Sequence, residues 1–146
     1  MKKQRNRREF LQTSGIAGVG LATMPQGLPA YLIRKDDRQL NLGIIGTGER
    51  GRSLMSLALR RKDCSVKAIC DIDQRAIDTS KKMIADAGFA APKVFSGGEE
   101  DYLNLLQEEN IDAVIIATPW LWHVPMAVNA MKAGKYTAVE VAGATD

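Results

Sequence analysis

Residues 40–51, Leu-Asn-Leu-Gly-Ile-Ile-Gly-Thr-Gly-Glu-Arg-Gly, constrain the fold more than any other part of the chain. A short apolar run ends in Gly46-x-Gly48-x-x-Gly51, a helical pattern follows, and Asp71 stands 20 residues beyond Gly51 at the end of a second apolar run, residues 66–70. A glycine triplet alone is a weak signal. A strand before it, a helix after it and an acid closing the next strand make it the fingerprint of a dinucleotide site. Each residue has a task. Gly46 turns the chain sharply, Gly48 lets the backbone approach a pyrophosphate, and Gly51 lets the helix pack closely on the strand. The helix start offers unpaired N–H groups and the positive end of its dipole to the phosphates. Asp71 is placed to accept hydrogen bonds from a ribose diol and would repel a 2′-phosphate, so NAD is favoured over NADP. Arg75, one turn further on, could soften that preference.

From residue 40 onward, strand and helix patterns alternate, which predicts an α/β fold: a Rossmann-type, doubly wound parallel sheet with right-handed crossovers. Strands are expected at 40–45, 66–70, 93–95, 113–118 and 136–141. The run 113–118 has no polar alternation and reads as a central strand covered on both faces. Helices are expected at about 49–61, with Leu54, Leu57, Ala58 and Arg61 on one face, and at 73–87, with Asp73 as N-cap, Ile77, Met83, Ile84 and Ala87 inward and Gly88 closing it. Two more are expected at about 101–109 and from 123–125 to Ala133, with Pro125 in the first turn. Ligands of such sheets bind beyond the carboxyl ends of the strands, which gathers the glycine turn, Asp71, residues 118–123 and Glu140-Val141 around one cofactor.

The first thirty residues read differently. Five basic residues against Glu9 give residues 1–10 a charge of +4, so the whole-chain net of +3 leaves the other 136 residues at −1. The body therefore carries no basic footprint for nucleic acid. A basic start, Phe10-Leu11 and a mildly apolar Gly/Ala-rich run to Met24 have the layout of a secretory signal. Arg7-Arg8-Glu9-Phe10-Leu11-Gln12 resembles the twin-arginine export motif, with small-residue cleavage sites after Ala22 or Ala30. The expected organisation is a leader at 1–30, a linker at 31–39 and the nucleotide-binding domain at 40–146, in a periplasmic or secreted protein. A basic tail on a cytoplasmic protein is the alternative. Some ten apolar residues are too few for a stable membrane span. Cys64 and Cys70, six residues apart on an extended segment, are about 20 Å apart, beyond disulfide reach, and with a single histidine they offer no zinc set. Both read as buried apolar thiols.

At Ala117-Thr118-Pro119-x-x-x-His123 the chain resembles the Gfo/Idh/MocA family of nicotinamide-dependent sugar oxidoreductases, a likeness that also runs through the glycine turn, Asp71 and Ala133-Gly134-Lys135. The sequence Thr118-Pro119-Trp120-Leu121-Trp122-His123, with Pro125-Met126-Ala127-Val128 and Glu140-Val141, is similar to the branch classed as glycosyl hydrolase family 109, which includes α-N-acetylgalactosaminidases. That resemblance implies NAD contacts at Arg50, Gly51, Asp71, Trp120, Trp122, His123, Glu140 and Val141, beside Gly46, Gly48 and Thr118 of the fingerprint and loop. Most of the family has Glu-Lys-Pro where this chain has Glu140-Val141-Ala142, so the lysine between nicotinamide and substrate is missing, as it is in the glycosidase branch. The chemistry implied is hydrolysis through transient oxidation, an exception to two-carboxylate catalysis. Bound NAD takes hydride from C3 of the sugar, the C2 proton becomes acidic, the C1 substituent leaves by elimination, water adds, and the hydride returns.

The resemblance covers the nucleotide-binding half of the family and none of its C-terminal α/β substrate half. The catalytic base and most contacts to a sugar or glycoside are therefore expected beyond residue 146, and a homo-oligomer is left open for the full-length protein. A sugar dehydrogenase of the same fold and a non-catalytic nucleotide-binding fragment are the rival readings. Residues 31–146 alone are expected to bind NAD weakly, to aggregate and to catalyse nothing, because the last strand would be an uncovered edge. His123 reads as a helix-start polar residue or as a cofactor contact. Trp120 and Trp122 read as packing residues or as a wall excluding water. Glu99-Glu100-Asp101 reads as a solvated helix start.

Overall fold

The computed structural model describes residues 39–141. The expected leader at 1–30, nearly all of the linker, and Ala142 lie outside the described residues. Five parallel strands, β1 (Leu40–Ile45), β2 (Cys64–Cys70), β3 (Lys93–Phe95), β4 (Ala113–Ile116) and β5 (Tyr136–Val139), form one sheet in the order β3-β2-β1-β4-β5. Between them lie α1 (Glu49–Leu59), α2 (Gln74–Asp86), α3 (Tyr102–Leu106) and α4 (Trp120–Lys132). The order reverses between β1 and β4, so these two strands splay their outgoing loops apart and open a crevice at their carboxyl ends.

Two apolar clusters hold the layers. Met55 and Ala58 of α1 and Ile77 and Ile84 of α2 pack with Leu42, Ile44, Val66 and Ile69 on one face. Tyr102, Leu105 and Leu106 of α3 and Met126 and Ala130 of α4 pack with Ile45, Ala68, Val114 and Ile116 on the other. Alternate β1 residues thus serve opposite cores, as the strand period of two requires. At Gly43 a Cβ would lie 2.9 Å from Leu105 Cδ2 and 3.3 Å from Val114 Cγ1, so the missing side chain brings α3 down onto the sheet.

Several boundaries and faces differ from the sequence expectation. In α1 the buried residues are Gly51, Met55 and Ala58, while Leu57 is exposed and Leu54 half-buried. The contact of Gly51 with the preceding turn sets the rotation of this helix, and the buried stripe follows at i, i+4 and i+7 from it. In α2 Ala76, Ile77, Ser80 and Ile84 are buried. Ala87 is the C-cap and exposed, because the helix has ended and Gly88 turns away at φ +81°. β2 begins two residues earlier than expected, at Cys64, and α3 is shorter than 101–109. β4 stops at Ile116, and its Ala113 and Ile115 are only half-buried, so one of its faces is incompletely covered. β5 stops at Val139.

α4 departs most. It starts at Trp120 after an N-cap at Pro119, not at 123–125, so Pro125 lies inside the helix. The carbonyl that Pro125 deprives of a helical donor is that of Leu121, a residue 76% exposed, so the missing bond falls at a solvent-facing position of the helix. Cys64 and Cys70 are free and buried, as expected. Asp73 caps α2, its Oδ1 accepting from the Arg75 N–H at 2.9 Å. Asp73→Ala is expected to lower the unfolding free energy by about 1 kcal/mol, read by denaturant titration.

Candidate cofactor site

The sheet is extended by one hydrogen bond at each relevant strand end. Gly46 N donates to Cys70 O at 2.8 Å, Ala117 N to Ile45 O at 2.8 Å, Asp71 N to Phe95 O at 3.2 Å and Glu140 N to Ile116 O at 3.0 Å. Gly46, Asp71, Ala117 and Glu140 are thereby held along one edge of the sheet, each at the start of a loop. The loops enclose a cleft of about 320 Å³ whose floor includes Ile45, Cys70 and Ala117. Its rim is formed by Gly48, Asp71 and Ile72 on one side and by Thr118, Pro119 and Trp122 on the other. Burial pushes the Cys70 thiol up to about 12, with smaller contributions from the nearby Asp101 and Asp71 carboxylates, so it is a neutral, apolar part of the floor at physiological pH.

The glycines are where the turn needs them. Gly46 has φ +86°, and a Cβ there would lie 2.7 Å from Ala117 O. A Cβ on Gly51 would overlap the backbone carbonyl oxygen of Gly46. Gly48 is the opposite case. It is exposed, and a Cβ on it would meet no atom of the described residues within 4 Å. It is also the N-cap of α1, which has no side-chain cap. Gly48 and Asp71 line the same cleft, so the start of α1 and the carboxylate together form a cradle that fits a pyrophosphate and the adjoining ribose. Ile72, 65% exposed, supplies an apolar surface at the mouth next to Asp71.

Asp71 is already partly engaged. Its Oδ2 accepts from Thr47 N at 2.5 Å and Thr47 Oγ1 at 2.9 Å, and its Oδ1 accepts from Asp73 N at 2.9 Å. Arg75 is 95% exposed and lies 3.6 Å from Asp73, an outward direction for the cation that could have softened NAD preference. Arg50 and Glu140, 90 residues apart in sequence, are joined by a 2.8 Å ion pair that ties the first turn of α1 to the end of β5. Val141 is 79% exposed beside Glu140.

In the loop after β4, Thr118 lines the cleft and its Oγ1 donates to Met126 Sδ at 3.5 Å. Trp122 is half-buried, forms part of the cleft wall and meets Tyr102 edge to face at 6.4 Å. Trp120 is 63% exposed. His123 is only 1% exposed and stands behind the loop, its Nε2 2.7 Å from Thr118 O. A carbonyl only accepts, so Nε2 donates to it, and Nδ1 is buried without a hydrogen-bond partner among the described residues. His123 thus bears on the cleft through the Thr118 carbonyl.

Thr47 and Ile72 went unread in the sequence, Met126 was noted only within the family likeness, and Glu99 lies on the rim instead of only starting a helix. The turn carrying Glu99 is braced by Asp101, which accepts from Gly97 N at 2.7 Å and Asn104 Nδ2 at 2.6 Å. The Gly97 N–H and then the Asn104 amide hold the Asp101 carboxyl below its ordinary 3.8. A depressed carboxyl stabilises the fold above its unfolded pKa and loses that contribution as pH falls through the folded value. Acidification below about pH 4 is therefore expected to weaken this turn, and Asp101→Asn to flatten that part of the stability–pH curve measured by chemical denaturation.

Comparison with known proteins places this arrangement. The model of the Gfo/Idh/MocA group, described as an oxidoreductase family with an NAD-binding Rossmann fold, matches residues 40–141. The chain belongs to the Gfo/Idh/MocA family. It is 42% identical, over 97% of its length and 33% of the relative's, to a protein of Parabacteroides distasonis named glycosyl hydrolase family 109 protein. It is 39% identical, over 97% of its length and 34% of the relative's, to an alpha-N-acetylgalactosaminidase of Tannerella forsythia. The chain thus spans about a third of the length of the curated relatives it matches. Among solved structures it resembles scyllo-inositol dehydrogenase of Lactobacillus casei with bound NAD(H) and scyllo-inositol, with a TM-score of 0.63 at 25% identity over 75% of this chain and 30% of that one. Myo-inositol dehydrogenase of the same organism, in complex with NAD(H) and myo-inositol, gives 0.58 at 29% identity over 70% and 28%. The described part of this Gfo/Idh/MocA protein is therefore an NAD-binding Rossmann domain, and the cleft at the β1/β4 reversal is where its topology puts the cofactor.

Proposed function

We propose that this domain is the cofactor half of an exported enzyme that cleaves glycosides with a retained NAD. The observation that carries the proposal is the identity of 42% and 39%, along nearly all of this chain, to relatives named for glycoside hydrolysis. The replacement of the usual Glu-Lys-Pro by Glu140-Val141-Ala142 supports it, because a dehydrogenase of this family uses that lysine beside the reacting hydroxyl. When bound, NAD supplies a reversible hydride acceptor, so a sugar carbon oxidised early in a turnover can be restored before product leaves.

The chain's own residues have the remaining tasks. The N–H groups following Gly48 hold the pyrophosphate, and Asp71 holds the adenosine ribose and discriminates against a 2′-phosphate. Thr118, Trp122, Glu140 and Val141 bound the nicotinamide end, with Trp122 excluding water and His123 fixing the Thr118 carbonyl. Trp120 and Arg50 complete the contacts on the open side. Export by the twin-arginine route, which carries folded and loaded proteins, suits a cofactor that is never exchanged. The substrate is a small sugar glycoside, with α-N-acetylgalactosaminides the first class to try.

The full-length protein is expected to release the leaving group of a chromogenic glycoside with no lasting NADH absorbance. Stoichiometric NADH formed from added NAD and a free sugar or inositol would overturn this. It would establish the second reading, a dehydrogenase, which the likeness to the two inositol dehydrogenases favours.

A further inference from the structure

We infer that Thr47, the residue between the first two glycines of the fingerprint, is a positioning residue for NAD: it fixes the Asp71 carboxylate so that a single oxygen, Oδ1, is left for the ribose. The inference rests on the NAD-binding assignment above and concerns how that site reads its ligand.

Thr47 is wholly buried, at 0% exposure, although it lies in a turn between an exposed Gly48 and a half-buried Gly46. Its three polar groups are all engaged. The N–H and the hydroxyl converge on one atom, Asp71 Oδ2, at 2.5 Å and 2.9 Å, and the carbonyl accepts from an Arg52 guanidinium nitrogen at 2.7 Å. The two backbone bonds, from Thr47 N to Oδ2 and from Asp73 N to Oδ1, hold the carboxylate at one point on each oxygen and leave a second position on Oδ2 open to another donor. The Thr47 hydroxyl, on a side chain buried in the interior, takes that second position and so turns Oδ1 toward the cleft as the oxygen with capacity left.

A carboxylate has about four acceptor positions, two on each oxygen. Thr47 fills both on Oδ2, and Asp73 N fills one on Oδ1 at 2.9 Å. Among the described residues, no donor takes the last position on Oδ1. Asp71 therefore accepts from one hydroxyl of the ribose diol, not from both, and its aim depends on Thr47. The negative charge remains at the rim of the cleft, where it disfavours a 2′-phosphate whether or not the diol is bound.

The test is the equilibrium binding of NAD and NADP, by calorimetry, to the full-length protein and its variants after any nucleotide they carry has been removed. Thr47→Val keeps the shape and the backbone N–H and removes only the hydroxyl. It is expected to weaken NAD about tenfold while leaving NADP, which gains nothing from Asp71, nearly unchanged. Thr47→Ser, which keeps the hydroxyl, is expected to bind NAD within about twofold of the parent. In an Asp71→Ala background, Thr47→Val is expected to change NAD binding by less than about twofold, because its action runs through the absent carboxylate. An equal loss of NAD and NADP affinity in Thr47→Val, or an undiminished loss in the Asp71→Ala background, would overturn the inference and leave Thr47 as a structural residue of the turn. Failure of the parent itself to bind NAD would instead overturn the assignment of the site. Binding of 2′-deoxy and 3′-deoxy adenosine forms of NAD supplies a second readout. One analogue is expected to lose affinity and the other to keep it, whereas equal losses would contradict a single remaining acceptor.

Discussion

Gly51→Ala is expected to destabilise the domain by about 3 kcal/mol or more, while Gly48→Ala leaves it folded with a loss of about 1 kcal/mol or less. The two substitutions add the same methyl group three residues apart. At Gly51 the new carbon would overlap Gly46 O and sit 2.9 Å from Gly46 C. Both are backbone atoms, and Gly46 is itself fixed by its positive φ and its bond to Cys70 O. No side chain can swing aside to make room, so α1 must lift off the end of β1 and disturb Met55 and Ala58, which are buried under it. At Gly48 the methyl meets nothing, and the backbone, at φ −58°, is one that alanine adopts. The cost there is only the loss of a favourable N-cap residue. Ligand binding inverts the order of interest: the Gly48 methyl projects into the space over the α1 N-terminus and is expected to weaken NAD tenfold or more. Denaturant midpoints and NAD titrations on the same two variants separate the roles. A Gly51→Ala protein as stable as the parent would show that the helix does not rest on the turn, and a Gly48→Ala protein that binds NAD normally would show that the phosphates lie elsewhere.

Asp71→Ala is expected to weaken NAD about 30-fold, the worth of a hydrogen bond to a charged group, and to cut the preference for NAD over NADP by at least tenfold. NADP gains because the carboxylate charge facing its 2′-phosphate is gone. The substitution also strands the buried Thr47 N–H and hydroxyl, which lose their common acceptor. A stability loss of about 1–3 kcal/mol is expected from that alone. Nucleotide discrimination and folding should therefore move together in this variant, whereas Gly48→Ala moves binding almost alone. An unchanged ratio of NAD to NADP affinity would show that Asp71 serves the turn and not the ligand.

The parts of the fold set by local chemistry were legible in the sequence, and the parts set by tertiary contact were not. The limits of β1 and β3 and the cap at Asp73 were read correctly because apolar runs, glycines and a capping aspartate announce them. The face of α1 was misjudged because Leu54, Leu57, Ala58 and Arg61 make a plausible stripe by periodicity. The true phase is fixed by the contact of Gly51 with Gly46, which periodicity does not contain. α4 was started too late because Pro125 suits a first turn, yet Pro119 caps the helix and Pro125 is tolerated where Leu121 faces solvent. For the site, Asp71 and the glycines follow from spacing. Thr47 does not, because an x position in the fingerprint has no required side chain and its hydroxyl finds Asp71 only once β1 and β2 are side by side. The ion pair of Arg50 with Glu140 is of the same kind, joining two residues that the family likeness singles out for NAD through a contact visible only in three dimensions.

The most direct test of the account is a crystal structure of the full-length protein with NAD. The expected density places the pyrophosphate over Gly48 against the first-turn N–H groups of α1, the adenosine ribose on Asp71 Oδ1, and the nicotinamide between the Thr118–Trp122 loop and Glu140. A nucleotide bound away from Gly48 and Asp71, or no nucleotide at saturating NAD, would contradict it.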